Sequence, residues 1–220
     1  MNTDSHWVQW HRMYDIAGSP LQQRLAIVEG FVGAALDAAP ADGPVQILSL
    51  CAGQGRDVID VVAAHRRRAD VHARLVEFDP DLCADARTAV ALAGLEHIEV
   101  VVGDASTSDA AQGAVPAHIV VACGIFGNIS DADIRGFVEY LPALCALGAV
   151  VVWTRHRRPP DLTPTIREWF AGAGFEEIGF VAPDDAGLVG VGAHRLITAP
   201  EPFEAGRRLF TFVGDGGVYR

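Results

Sequence analysis

The chain has 220 residues, of which 50% are apolar and 20% charged, and its formal net charge is −11. This composition fits one globular domain and excludes a disordered chain. The acidic balance argues against a nucleic-acid partner, and no apolar run approaches the roughly 18 residues of a membrane span.

The polar start Met-Asn-Thr-Asp-Ser-His-Trp is not a signal peptide. Trp7 to Tyr14 reads as a short aromatic helix ahead of the first long one. Ser19-Pro20-Leu21-Gln22 is a capping box with Pro at the first helical position, and this helix stops before Pro40. Strand one is 45–50, and its helix runs 56–68 and closes on Arg66-Arg67-Arg68, cations suited to a helix C-terminus. Strand two is 71–77, and Asp79-Pro80 caps a helix to about Ala93. Strand three is 98–102, with a short helix near 106–112, and strand four is His118 to Cys123. Ser130 opens a helix kinked by Pro142, and strand five is 148–154. Thr163-Pro164 caps a helix ending near Gly172–Gly174. Strands at 176–181, 190–197 and 208–213 close the chain. Strands alternating with helices imply a parallel, doubly wound Rossmann-like sheet with helices on both faces, an α/β fold whose ligands sit outside the strand carboxyl ends.

Three strand ends carry the chemistry. The turn Cys51-Ala52-Gly53-Gln54-Gly55 follows strand one, and its glycines allow close backbone approach. The third glycine of a dinucleotide fingerprint is replaced by Val58, and no Lys-Ser/Thr pair makes a phosphate loop. Asp57 at the helix start would repel a phosphate, so an adenosine ligand without phosphates fits best. Glu77 ends strand two about 20 residues beyond the glycines, where a carboxylate accepts from ribose hydroxyls. Phe78 is placed to cover an adenine face. Asp104 follows strand three and can accept from the adenine amino group while the Ala105 N–H donates to a ring nitrogen.

With these residues the chain, from about Val45 to Phe175, resembles the class I S-adenosylmethionine-dependent methyltransferases. The family motif is an acidic residue, any residue, then Gly-x-Gly-x-Gly. Ser49 stands at the acidic position and Cys51 at the first glycine, followed by Gly53 and Gly55. The resemblance implies that Ser49, Cys51, Ala52, Gly53, Gly55, Glu77, Phe78, Asp104, Ala105, Cys123 and Gly124 hold S-adenosylmethionine, with S-adenosylhomocysteine as product. It also implies a reversed strand near the C-terminus of a mostly parallel sheet. Residues 1–40 would form an N-terminal lid segment and helix, and 41–220 the cofactor-binding domain.

The loops after strands four and five border the transferred methyl group. Phe126 is the expected apolar wall and Asn128 orients a substrate or caps the next helix. His156 is the general-base candidate, kept neutral by Arg155, Arg157 and Arg158, which alternatively bind an anionic substrate. In the N-terminal segment, Trp7, Trp10, His11 and Tyr14 suit a lid, with Tyr14 facing the sulfonium and Arg24 pairing with the cofactor carboxylate. His11, Phe126, Asn128 and Arg155 are thus the acceptor-binding set, and His156, Tyr14 and Asn128 the catalytic one. His65, His72, His97 and His118 read as structural, and His194 as a core or edge residue.

The four cysteines, Cys51, Cys83, Cys123 and Cys145, form no Cys-x-x-Cys pair, so neither zinc nor a redox motif is indicated. Cys83 and Cys145 read as small apolar helix residues. The expectation is a cytoplasmic small-molecule methyltransferase, monomer or homodimer, with no nucleic-acid or membrane partner. Alternatives are S-adenosylmethionine binding without methyl transfer and, further off, a nicotinamide-dependent oxidoreductase.

Overall fold

A computed structural model describes residues 12–183 and 189–213. Seven strands form one sheet: β1 Val45–Leu50, β2 Val71–Glu77, β3 Ile98–Val102, β4 Ala117–Ala122, β5 Cys145–His156, β6 Phe175–Val181 and β7 Val189–Leu196. Their order is β3-β2-β1-β4-β5-β7-β6. The first five are parallel, and β7 runs antiparallel to both β5 and β6. The reversed strand is therefore 189–196. Strand order turns over between β1 and β4, the switch point at which α/β sheets open a crevice.

Five α-helices flank the sheet: α1 Pro20–Ala38, α2 Arg56–Ala64, α3 Pro80–Ala93, α4 Asp131–Tyr140 and α5 Thr163–Gly172. Helices α1 to α3 bury Val28, Val32, Val58, Ile59, Val62 and Cys83 on one face. Helices α4 and α5 bury Ile134, Phe137, Ile166 and Phe170 on the other. Ser19, Asp79 and Ser130 cap α1, α3 and α4 by accepting from backbone N–H groups two or three residues on. Among the described residues no helix is long and apolar enough to cross a membrane.

Several sequence expectations are corrected. Helix α2 stops at Ala64, because His65 turns extended and its Nδ1 accepts from Arg67 N–H. The three arginines bind the ends of other helices instead. Arg66 pairs with Asp37 at 3.0 Å, Arg67 donates to Ala39 O, and Arg68 donates to Ala93 O. Cations placed there satisfy orphan carbonyls at the C-termini of α1 and α3. Pro142 does not kink α4 but lies in a separate 3-10 turn, Leu141–Ala143. The helix near 106–112 is a 3-10 turn, Ser108–Ala111. Thr163 does not cap α5; it donates through N–H and hydroxyl to Asp161 Oδ1. Cys145 begins β5, not a helix, and that strand absorbs a register shift opposite Ala117–Ile119.

The segment 208–213 is not a strand of the sheet. It makes two isolated bridges, Thr107 with Arg208 and Ile129 with Phe212. The preceding residues strap across the sheet end: Tyr140 Oη donates to Glu204 O, Ser108 N–H to Arg207 O, and Leu209 N–H to Ser106 O. Phe210 anchors the strap edge-on to Phe137 at 5.3 Å.

His194 is a core residue. Trp153 Nε1 donates to its Nδ1 at 3.1 Å, its ring stacks on Phe170, and its Nε2 lies 3.5 Å from Glu177. Burial pushes its pKa down to about 4. The unfolded chain takes up this proton near 6.5 and the folded one near 4, so the group costs stability as pH falls through that window. Asp57 is shifted upward to about 6 and acts in the opposite sense, so a difference between variants is the clean readout. In urea unfolding, the stability gap between wild type and His194→Gln should change by about 3 kcal/mol between about pH 7 and about pH 4. A constant gap would mean that His194 titrates in the folded protein as it does in the unfolded chain.

Candidate active site

The turn after β1 is built by hydrogen bonds to β2. Ala52 N–H donates to Val76 O at 2.9 Å, and Gly53 N–H donates to Glu77 Oε2 at 2.8 Å. The other oxygen of Glu77 accepts from Phe78 N–H at 2.8 Å and Asp79 N–H at 2.9 Å. Gly55 begins α2 with a φ of +70°, and a Cβ there would lie 2.7 Å from Leu75 Cδ1 and 2.9 Å from Ile59 Cδ1. Its missing side chain thus serves helix–strand packing, where the sequence suggested ligand approach. Cys51 holds a φ of +56°, the left-handed region, in the place where the motif has glycine.

The carboxyl ends of β1 to β5 surround an open cleft of about 1090 Å³. That volume exceeds what one small ligand fills and leaves room for a second beside it. One end is acidic, with Glu77, Asp79 and Asp104 on its wall, and Phe78 is 60% exposed at the rim. Asp104 accepts from Ser106 N–H at 2.9 Å and from its hydroxyl, and pairs with Arg208 at 3.2 Å. Partial burial raises its pKa, but the Ser106 bonds and Arg208 outweigh this and hold it below the ordinary value.

At the floor lie Tyr14, Arg24, Asp57 and Cys123. Arg24 donates to the Tyr14 hydroxyl, and the guanidiniums of Arg24 and Arg56 stand 5.7 and 5.6 Å from the Tyr14 ring centre. The ring of Tyr14 therefore already meets two cations, which leaves the sulfonium role without support. Burial raises the Tyr14 pKa. Asp57, in the first turn of α2, has a buried Oδ1 with no hydrogen-bond partner. Burial raises its pKa to about 6, against the opposing charge of Arg24. Burial also raises the Cys51 and Cys123 thiols, so both are neutral cleft walls and not nucleophiles.

The far end is basic. His156 ends β5, and its Nδ1 is buried without a partner. Burial first, then Arg155 and Arg158, lower its pKa, against Asp161. Arg157 takes no part, because it pairs with Asp161 at 3.1 Å. Arg155 donates to Phe126 O and faces Asp131 at 3.8 Å. Asn128 donates to Gly124 O at 2.6 Å, closing the loop after β4 without capping α4, and Gly124 N–H donates to Thr154 Oγ1 at 2.9 Å.

Of the residues named from sequence, Cys51, Ala52, Glu77, Phe78, Asp104, Ala105, Cys123 and Gly124 line the cleft. So do Tyr14, Arg24, Asn128, Arg155 and His156. Ser49 does not: it is buried within β1, and its hydroxyl has no partner. Gly53 and Gly55 are not among the lining residues. Phe126 is not an apolar wall either; it is fully buried between Phe137, Trp153 and Phe170. Trp7, Trp10 and His11 lie outside the described residues. Asp57, read from sequence only as a charge that repels phosphate, lines the cleft, as do Thr154 at the end of strand five and Ser106, Arg208 and Phe212, the last three without a local signal.

The joint at Glu77 is testable without any ligand. Glu77→Ala leaves three backbone N–H groups without their charged acceptor, so it should lower folding stability by about 1.5–3 kcal/mol. Urea unfolding reads this, and an unchanged midpoint would mean that water replaces the carboxylate at no cost.

A protein-family model described as "Putative methyltransferase" matches residues 11–167. A search of the curated proteins finds no match. Among solved structures the fold is similar to an O-methyltransferase family protein from Burkholderia thailandensis, with a TM-score of 0.60 and 15% identity. That match covers 82% of this chain and 57% of the other, so this chain spans little more than half of that protein. It is also similar to magnesium protoporphyrin IX methyltransferase from Synechocystis PCC 6803 with bound SAH, with a TM-score of 0.62, 14% identity and 86% and 93% of the two chains covered. A precorrin-6y C5,15-methyltransferase from Geobacter metallireducens aligns with a TM-score of 0.54 and 10% identity over 79% and 87% of the chains. At such identities the likeness is one of fold.

Proposed function

The chain belongs to the methyltransferase family whose model it matches, and we propose that it transfers a methyl group from S-adenosylmethionine to a small-molecule acceptor in the same cleft. The observation that carries this reading is one continuous cleft at the β1/β4 switch point with acids at one end, a buried carboxylate at its floor and a histidine at the other end. Family membership also speaks against the nicotinamide alternative.

The residues fit the cofactor. Glu77 keeps unused lone pairs on a carboxylate already fixed by three N–H donors, and these suit vicinal ribose hydroxyls. Phe78 and Ala105 flank the adenine position, and Asp104 accepts from its amino group. The methionine end meets Asp57 and Arg24: the unpartnered Oδ1 takes the ammonium, and the guanidinium takes the carboxylate. Asp57 thereby fills the role that buried Ser49 does not reach.

When bound, the cofactor supplies a methyl carbon already activated by its sulfonium. The chain's own part is to align the acceptor with that carbon and exclude water, from which proximity supplies much of the rate. His156, neutral near pH 7, accepts the acceptor's proton at its unpaired Nδ1. Asn128 and the loop from Gly124 shape the acceptor side. The protein works in the cytoplasm as a monomer or homodimer.

Titration calorimetry with S-adenosylhomocysteine tests the cofactor site. The ammonium requires ionised Asp57, whose pKa is about 6. Affinity should therefore weaken by about tenfold as pH falls from about 7.5 to about 5. Asp57→Asn should bind weakly at both values, without this dependence. Absence of binding would overturn the cofactor reading, and pH-independent binding would remove Asp57 from the ammonium.

A further inference from the structure

The basic end of the cleft is more specific than a general cationic patch. Four arginines and one histidine line the cleft, and their charges are not equally available. Arg208 is paired with Asp104 at 3.2 Å. Arg155 is mostly buried, donates to Phe126 O and faces Asp131. Arg24 donates to Tyr14 and lies in the field of Asp57. Just outside the lining, Arg157 is neutralised by Asp161. Arg158 is the cleft-lining arginine with no ion pair or hydrogen bond among the described residues, and its charge acts on His156.

Beside it, two buried nitrogens lack hydrogen-bond partners, Nε of Arg155 and Nδ1 of His156. Buried polar atoms left unpaired are costly unless a ligand completes them: Nε of Arg155 donates and suits an anion, while the unprotonated Nδ1 of His156 accepts and suits the acceptor's hydroxyl or amine. One uncommitted guanidinium and two unpaired nitrogens border one end of a cleft in a chain of net charge −11.

We infer that the methyl acceptor carries a carboxylate, held by Arg158 beside His156. A single uncommitted cation balances a single negative charge, and the planar guanidinium fork matches a carboxylate. A bound carboxylate also favours the protonated imidazole, which strengthens His156 as the base for the acceptor's hydroxyl or amine. The assignment rests on the reading of this cleft as a methyl-donor and acceptor site.

The test uses an isosteric pair that differs in charge, 4-hydroxybenzoate and 4-hydroxybenzamide, titrated into the full chain saturated with S-adenosylhomocysteine. The acid should bind about tenfold more tightly than the amide, the effect of one charge-assisted bidentate contact. Arg158→Gln should abolish that preference while leaving amide binding and S-adenosylhomocysteine affinity unchanged. Arg158→Lys should retain part of it. Equal affinities, no signal from either compound at millimolar concentration, or an acid preference that survives Arg158→Gln would overturn the proposal. Tighter binding of phenyl phosphate than of the acid would overturn the choice of carboxylate. If S-adenosylhomocysteine itself does not bind, the cofactor reading fails. The same pair titrated into the unliganded chain then still decides the charge preference.

Discussion

The carboxylate of Glu77 joins two adjacent strand ends at the acidic end of the cleft. One oxygen receives the N–H of Gly53, on the turn after β1, and the other receives those of Phe78 and Asp79, on the path from β2 into α3. Backbone from two adjacent strand ends is thereby pinned to one side chain. The turn can take this position because Gly53 and Gly55 accept positive φ, and because no Cβ at Gly55 pushes against Leu75 and Ile59. The carboxylate is consequently oriented before any ligand arrives, and a ligand does not have to bear the cost of ordering it. Asp79 extends the joint by capping α3 with the same stretch of chain.

The charge pattern of the cleft follows from the strand order. Strands β2 and β3, on one side of the switch point, end in Glu77 and in the loop carrying Asp104. Strand β5, on the other side, ends in Arg155 and His156 and leads directly to Arg158. Acidic groups thus collect at one end and cationic groups at the other, with Asp57 and Arg24 between them. A polarised cleft of this kind orients a ligand pair electrostatically before close contacts form.

The strap from Glu201 to Val213 completes the wall. Its hold comes from backbone bonds to Ser106, Ser108, Asn128 and Pro142 and from Phe210 buried against Phe137. Its exposed partner in the cleft is Arg208, which braces Asp104 through a direct ion pair and through Ser106. The aromatic layer below, Phe126, Trp153 and Phe170, supports the loop after β4 from beneath. Phe126 thus supports the cleft from the core without lining it.

The sequence by itself determined the alternation of strands and helices, the glycine turn, the caps at Ser19, Asp79 and Ser130, and the acidic positions Glu77 and Asp104. Each of these signals comes from residues a few positions apart, where apolar period, φ preference and N-cap chemistry act locally. Only the tertiary structure decided that α2 ends at Ala64, that 208–213 is a strap, that Phe126 is core, and that Arg208 faces the cleft. These outcomes rest on partners far away in the chain, such as Arg208 on Asp104, separated by 104 positions. Whether a polar residue meets solvent, a distant carboxylate or the cleft depends on which elements pack beside it, and no local pattern carries that information.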